Sequence, residues 1–178
     1  MEYLSNVCEY NEAVLTEALT VQLRETQRRK NLIFYIIISL LLVFCVVNWI
    51  LSKDSYFLFM ALLCLLLYGM LIFNGRVLPR RTAKLQIPRI QEKNGGLQFQ
   101  SRFLEDGVAV LNPAGEETAR VPYAQLTKLV ETEKLLLLFN RDKHMIILDR
   151  GGFRGGSEAN FRQCLKERCP ALLPLERK

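Results

Sequence analysis

Two stretches of this chain carry no charged residue and are apolar almost throughout. Residues 32–51 read LIFYIIISLLLVFCVVNWIL, and residues 56–73 read YFLFMALLCLLLYGMLIF. A helix of about 20 such residues spans a bilayer core. Between them, Ser52, Lys53, Asp54 and Ser55 have room only for a tight turn. The pattern predicts a transmembrane helical hairpin over residues 32–73, with Tyr35 and Trp49 near the ends where aromatic belts form. A hairpin buried in a soluble core is the alternative. The rest of the chain is too short to cover two fully apolar helices.

Residues 1–31 precede the hairpin. Val14, Leu15, Ala18, Leu19 and Leu23 recur there at helical spacing, with Glu early and Arg and Lys late. This predicts an amphipathic helix, either packed on the soluble part, lying at the membrane surface, or serving as a partner-binding arm. Residues 74–96 read as a basic connector. Pro79 and Pro88 punctuate it, so at most a short, kinked helix over about 82–93 is expected. Asn94-Gly95-Gly96 ends it.

From residue 97 the period changes. Leu97, Phe99, Ser101 and Phe103 alternate with Gln98, Gln100 and Arg102, as in a half-buried strand. Glu105-Asp106-Gly107 reads as a turn that exploits the tolerance of Gly for positive φ, and Asn112-Pro113-Ala114-Gly115 as a second. Further strands are expected over 108–111, 116–121, 127–131, 135–139 and 144–148, with a helical turn at 122–125. Ser157 is placed to cap a last helix reaching about Arg168, with Phe161, Cys164 and Leu165 on its inner face. Residues 97–178 are therefore predicted as an antiparallel sheet of about six or seven strands closed by one C-terminal helix. Phe99, Phe103, Val108, Val110, Leu136, Leu138, Ile146, Phe161 and Leu165 are its expected core. The fold class is α+β: a membrane hairpin followed by a β-domain.

Charge adds topology. The net charge is +6, and ten of the 24 basic residues flank the hairpin. Arg28, Arg29 and Lys30 before it, with Arg76, Arg80, Arg81 and Lys84 after it, are candidate contacts with a membrane surface. Basic residues on both outer flanks place both termini in the cytoplasm, with the hairpin in the plasma membrane. From Leu97 onward the net charge is only +2, which argues against a nucleic-acid module. The spans contain no Asp, Glu, Lys, Arg or His, so the hairpin reads as an anchor rather than a transport path. No secretory signal peptide is expected, because roughly thirty mostly polar residues precede the first apolar run.

Chemistry is sparse. The five cysteines form no C-x-x-C pair, which predicts neither a disulfide framework nor a zinc site. His144 is the single histidine, and no H-E-x-x-H, G-x-S-x-G or P-loop occurs. The run Gly151–Gly156 is expected to be a flexible strand-to-helix link rather than an anion site. Glu131 and Glu133, with Lys128 and Lys134 nearby, read as a solvated hairpin rim. No catalytic residue, cofactor or metal is predicted. Tyr123, Glu131, Glu133 and Lys134 are the candidate partner surface.

The stretch Phe103-Leu104-Glu105-Asp106-Gly107-Val108 resembles the aromatic–acidic–Gly turn of the YcxB-like family. Residues 121–132, VPYAQLTKLVET, resemble its signature, in which an aromatic residue opens a short turn and an acidic residue closes the next strand. Residues 145–148, Phe153 and Phe161 fall where that family has its last strand, a following aromatic and the terminal helix. One departure is visible: Asp149-Arg150-Gly151-Gly152 stands where the family commonly has Pro-Lys-Arg. The resemblance implies two close membrane spans and a pleckstrin-homology-like C-terminal domain. It brings no catalytic residues. The resulting expectation is a membrane-anchored, non-enzymatic interaction or scaffold module. Its partners are the lipid bilayer and a protein, which includes a second copy of itself. A sensor of anionic lipid built on the basic connector is the alternative, and a membrane-associated enzyme the remaining one.

Overall fold

The computed structural model describes residues 4–169, 172 and 176–177, without the side chains of residues 27–31, 74, 76, 176 and 177. It divides into two compact units, Leu19–Arg81 and the combination of Met1–Ala18 with Thr82–Lys178.

The first unit is the helical hairpin. Helix α1 runs Glu12–Ser52 and α2 runs Ser55–Asn94. Lys53 ends α1 in the left-handed region, at φ 54°, and its N–H donates to the Trp49 carbonyl at 2.8 Å. The Asp54 carboxylate then accepts from the Tyr56 N–H at 3.1 Å and starts α2. Both helices are long and apolar enough to cross a membrane. Only 6% of the apolar window of α1 is buried, whereas a core helix of a soluble protein would bury most of its surface. Cys45, Ala61 and Cys64 are the buried positions of the two charge-free runs. Small side chains let helix backbones approach closely.

Both helices extend far beyond the predicted spans. The connector predicted over residues 74–96 is instead the continuation of α2, straight through Pro79 and Pro88. Each proline removes one backbone donor, and that loss is local. Burial of Pro79 and Ala83 holds the helix, and Gly95 (φ 72°) ends it, its N–H donating to the Gln91 carbonyl at 3.0 Å.

The second unit contains two sheets and helix α3, Glu158–Arg168. One sheet has strand order β4-β3-β2-β1-β8: Glu117–Pro122, Gly107–Leu111, Gln98–Phe103, Ser5–Glu9 and Phe153–Arg154, each antiparallel to its neighbour. The other has order β7-β6-β5-β9: Met145–Asp149, Leu135–Asn140, Leu126–Glu131 and Glu176–Arg177. A 3₁₀ turn, Tyr123–Gln125, joins β4 to β5. The helix expected within residues 1–31 begins at Glu12, and a strand that was not expected, β1, precedes it. Ser5–Glu9 lies inside the first sheet, paired along its length with β2 (Cys8 opposite Phe99). Five residues are too short to outweigh the helical pattern that follows them; only pairing with β2 and β8 makes them a strand. The hairpin is consequently inserted between two neighbouring strands of one sheet. The Tyr10 N–H donates to the Leu97 carbonyl at 2.8 Å across the two ends of that insertion.

The core lies between the sheets and under α3. Phe103 and Val108 come from the first sheet, Leu129, Leu136, Leu138, Ile146 and Leu148 from the second, and Phe161 and Leu165 from the helix. Phe161 is fully buried, its ring 5.1 Å from Phe103 and 5.3 Å from Phe153. All predicted core residues are buried except Val110, which is half-buried. Ser157 caps α3 reciprocally with Asn160, whose side chain accepts from the Ser157 N–H at 3.2 Å.

Gly107 occupies the predicted turn for a different reason. Its φ is not positive; a Cβ there would lie 2.4 Å from the Val121 carbonyl oxygen. Close strand approach, rather than backbone handedness, requires the glycine.

Candidate functional site

Glu131 ends β5, where alternation suggested a solvated rim. It is only 3% exposed. Its partners come from elsewhere in the chain. Arg162 of α3 donates to Glu131 Oε1 at 2.7 Å and to Oε2 at 3.0 Å. Arg150, just after β7, donates to Glu131 Oε2 at 2.9 Å. Glu158, in the first turn of α3, accepts from Arg162 Nε at 3.0 Å. Two carboxylates and two guanidiniums thus alternate across the junction of β5, β7 and α3. The hydrogen bonds from Arg162 to Glu131 and then to Glu158 raise its pKa. The forked, two-bond geometry fixes direction as well as charge. The cluster fastens helix to sheet, and its charges are spent on one another.

Tyr123 is likewise drawn inside, at 7% exposure, and its hydroxyl donates to the Leu104 carbonyl at 3.0 Å. Burial raises its pKa. The Arg168 guanidinium lies 5.5 Å from the centre of its ring and donates to the same Leu104 carbonyl. Of the four candidate partner residues, therefore, Tyr123 and Glu131 are removed from the surface, while Glu133 and Lys134 stay exposed in the β5–β6 turn. The turn keeps its shape because Thr132 Oγ1 accepts from the Leu135 N–H at 2.9 Å. The aromatic and acidic residues that looked like a docking rim belong to the packing of α3. Only the position of α3 makes that visible.

The glycine-rich run after β7 contains strand β8. Gly152 accepts from the Val7 N–H at 2.8 Å, and a Cβ on Gly152 would lie 2.0 Å from the Val7 carbonyl oxygen. Arg150 of this run is engaged by Glu131, and Arg154 is exposed. Asn6 sits beside this run with no exposed surface. Its side chain accepts from the Asp149 N–H at 3.0 Å and donates to the Asp149 carbonyl at 2.6 Å. Nothing in the local sequence marks Asn6, because its partner is 143 residues away.

The candidate membrane contacts divide in the same way. Arg80, Arg81 and Lys84 are exposed on α2 beyond the charge-free run, and Lys84 lies 3.6 Å from Glu12. The side chains of Arg28, Arg29, Lys30 and Arg76 lie outside the described residues. His144 is exposed, and its N–H donates to Asn140 Oδ1 at 2.9 Å.

No curated protein matches this chain in sequence. Among solved structures, a chain described as "Structure of the Spt16D Pob3N heterodimer" is similar. It is 13% identical with a TM-score of 0.32, and the match covers 44% of this chain and 46% of that one. The present chain thus spans less than half the length of that relative. Residues 103–165, from the end of β2 through Leu165 of α3, match the model of the family described as YcxB-like protein, the same family that the sequence motifs resemble.

Proposed function

We propose that this protein is a membrane-anchored, non-enzymatic interaction module that presents a pleckstrin-homology-like domain to the cytoplasm. The observation that carries the reading is the insertion of the hairpin between β1 and β2. The anchor leaves the domain from two adjacent strands, whose ends approach through the Tyr10–Leu97 hydrogen bond. A domain tied to a bilayer at two neighbouring points of its chain stays at that surface, and tethering raises its local concentration toward a membrane partner. Flanking basic residues favour cytoplasmic termini.

The edge strand β4 is the partner surface that this reading favours. All its residues are exposed except half-buried Val121, and it ends its sheet. Among the described residues, the exposed large hydrophobics end at Leu85, so the domain offers a partner backbone and polar groups rather than an apolar patch. Strand addition at an edge fits that chemistry. Pro122, which has no N–H, lies opposite Gly107, and by alternation Arg120 turns its N–H away from β3. The test uses the full chain in native membranes with a photo-crosslinker at Thr118. A specific protein adduct lost in Arg120→Pro supports the reading, since proline is tolerated on an edge. Turnover of a hydrolase or transferase substrate, abolished by one polar substitution, would overturn it.

A second reading, sensing of anionic lipid, draws support from the exposed cations Arg80, Arg81 and Lys84 just past the charge-free run. Each contributes about 1 kcal/mol near an anionic surface. Binding of the full chain to nanodiscs that changes domain protection from hydrogen exchange with anionic lipid content would favour it.

A further inference from the structure

The hairpin unit contains a cavity of about 490 Å³ walled by both of its helices. Thr20, Arg24 and Tyr35 face it from α1, and Leu71, Ile72 and Gly75 from α2. Its two ends differ chemically. Tyr35, Leu71 and Ile72 belong to the charge-free runs. Arg24 lies eight residues before Leu32, where the first run begins, about 12 Å along a helix axis. The cavity therefore crosses from the apolar part of the hairpin into its polar part. Among the described residues no carboxylate lines it, and Arg24 has no ion-pair partner. Space is open at Gly75, where an added Cβ would meet nothing within 4 Å.

We infer that this cavity binds an anionic glycerophospholipid, with its phosphate against Arg24 and an acyl chain along Leu71 and Ile72. The inference rests on the membrane reading of the hairpin. A cation at the polar end and aliphatic side chains at the other match the two halves of such a lipid. Basic sites between membrane helices on the cytoplasmic side are suited to anionic headgroups. Tyr35 adds a hydroxyl at the depth where amphipathic rings meet the lipid ester region. A free inorganic anion would leave the apolar half of the cavity unused. A zwitterionic headgroup would bring a second cation beside Arg24.

The experiment is native mass spectrometry of the full chain in nanodiscs of equal phosphatidylglycerol and phosphatidylcholine, scoring the lipid that remains bound. Phosphatidylglycerol should be retained preferentially, and Arg24→Gln should lower its retention about fivefold, the effect of one basic residue near anionic lipid. Lys53→Gln, in the turn at the other end of the hairpin, should leave it unchanged. Equal retention of the two lipids, or no effect of Arg24→Gln, would overturn the site. Displacement of the lipid by millimolar inorganic phosphate would also overturn it, in favour of a free-anion site. Extraction by alkaline carbonate separates the two levels of the argument. A chain that resists extraction but retains lipids without preference loses the site and keeps the anchor; a chain that is extracted loses both.

Discussion

Asn6 and Glu131 are polar residues that the fold buries and supplies with hydrogen-bond partners, and each fastens distant segments. Asn6 completes two backbone hydrogen bonds of Asp149. Replacing it with Leu strands both groups, at a cost of about 1–3 kcal/mol each. Denaturant unfolding of Asn6→Leu in detergent should show a loss of about 2–6 kcal/mol for the two groups together. Glu131→Ala leaves Arg162 and Arg150 facing each other without their carboxylate. Breaking a buried pair costs about 3–5 kcal/mol. The loss here should fall near the lower bound, because the two arginine side chains are 25% and 31% exposed. Replacing Glu158, itself 28% exposed, should cost less in the same melt. Cys8 supplies a pH test. Burial, with Asp149 and Glu9 adding, raises its thiol pKa from 9.0 to about 12. The folded state thus holds this proton more tightly than the unfolded state. The stability tied to it is intact below pH 9.0 and is lost as pH rises toward about 12. Unfolding midpoints should fall as the pH rises from 9.0 toward about 12, and Cys8→Ala should make the fall shallower.

Among the elements, β1 has the largest consequence. A fragment beginning at Leu97 lacks the strand between β2 and β8, together with Asn6 and the Val7 N–H that bonds Gly152. It should fail to give a cooperative melt. The compact unit keeps residues 1–18 and 82–178, with Leu15, Ala18 and Ala83 buried. A chain joining those two segments through a few flexible residues should fold and remain soluble, and circular dichroism with thermal melting compares the two directly. Helix α3 is tested by Phe161→Ala. Its fully buried ring predicts a loss of about 3–5 kcal/mol.

For the whole molecule, the proposed membrane topology is the property most open to direct measurement. Cys169 is a poor probe, being only 6% exposed. Glu133 is exposed in the β5–β6 turn and suits a labelling site. A cysteine placed there in a chain otherwise free of cysteine should react with an impermeant maleimide only after the cells are permeabilised. Reaction in intact cells would put the domain on the opposite side and exclude a cytoplasmic docking role.

The hairpin, its Lys53–Asp54 turn, the strand run from β2 to β7 and the capped terminal helix were legible in the order of residues, because each rests on local information. Charge-free length defines an apolar helix, period two defines a strand, and Ser157 ahead of a helical pattern defines a cap, to which the structure adds Asn160. Leu135–Asn140 was legible as a strand, yet the burial of all six of its residues followed only from its central place beside β5 and β7. The tertiary structure alone decided what depends on distant partners: the pairing of Ser5–Glu9 with β2, the persistence of α2 through two prolines, and the need for Gly107 and Gly152 where strands nearly touch. Tyr123 and Glu131 carry the clearest lesson. Their residue types suggested a surface, but Leu104, Arg150 and Arg162 reach them only after the chain has folded, and a satisfied polar group is stable inside where an unsatisfied one is not.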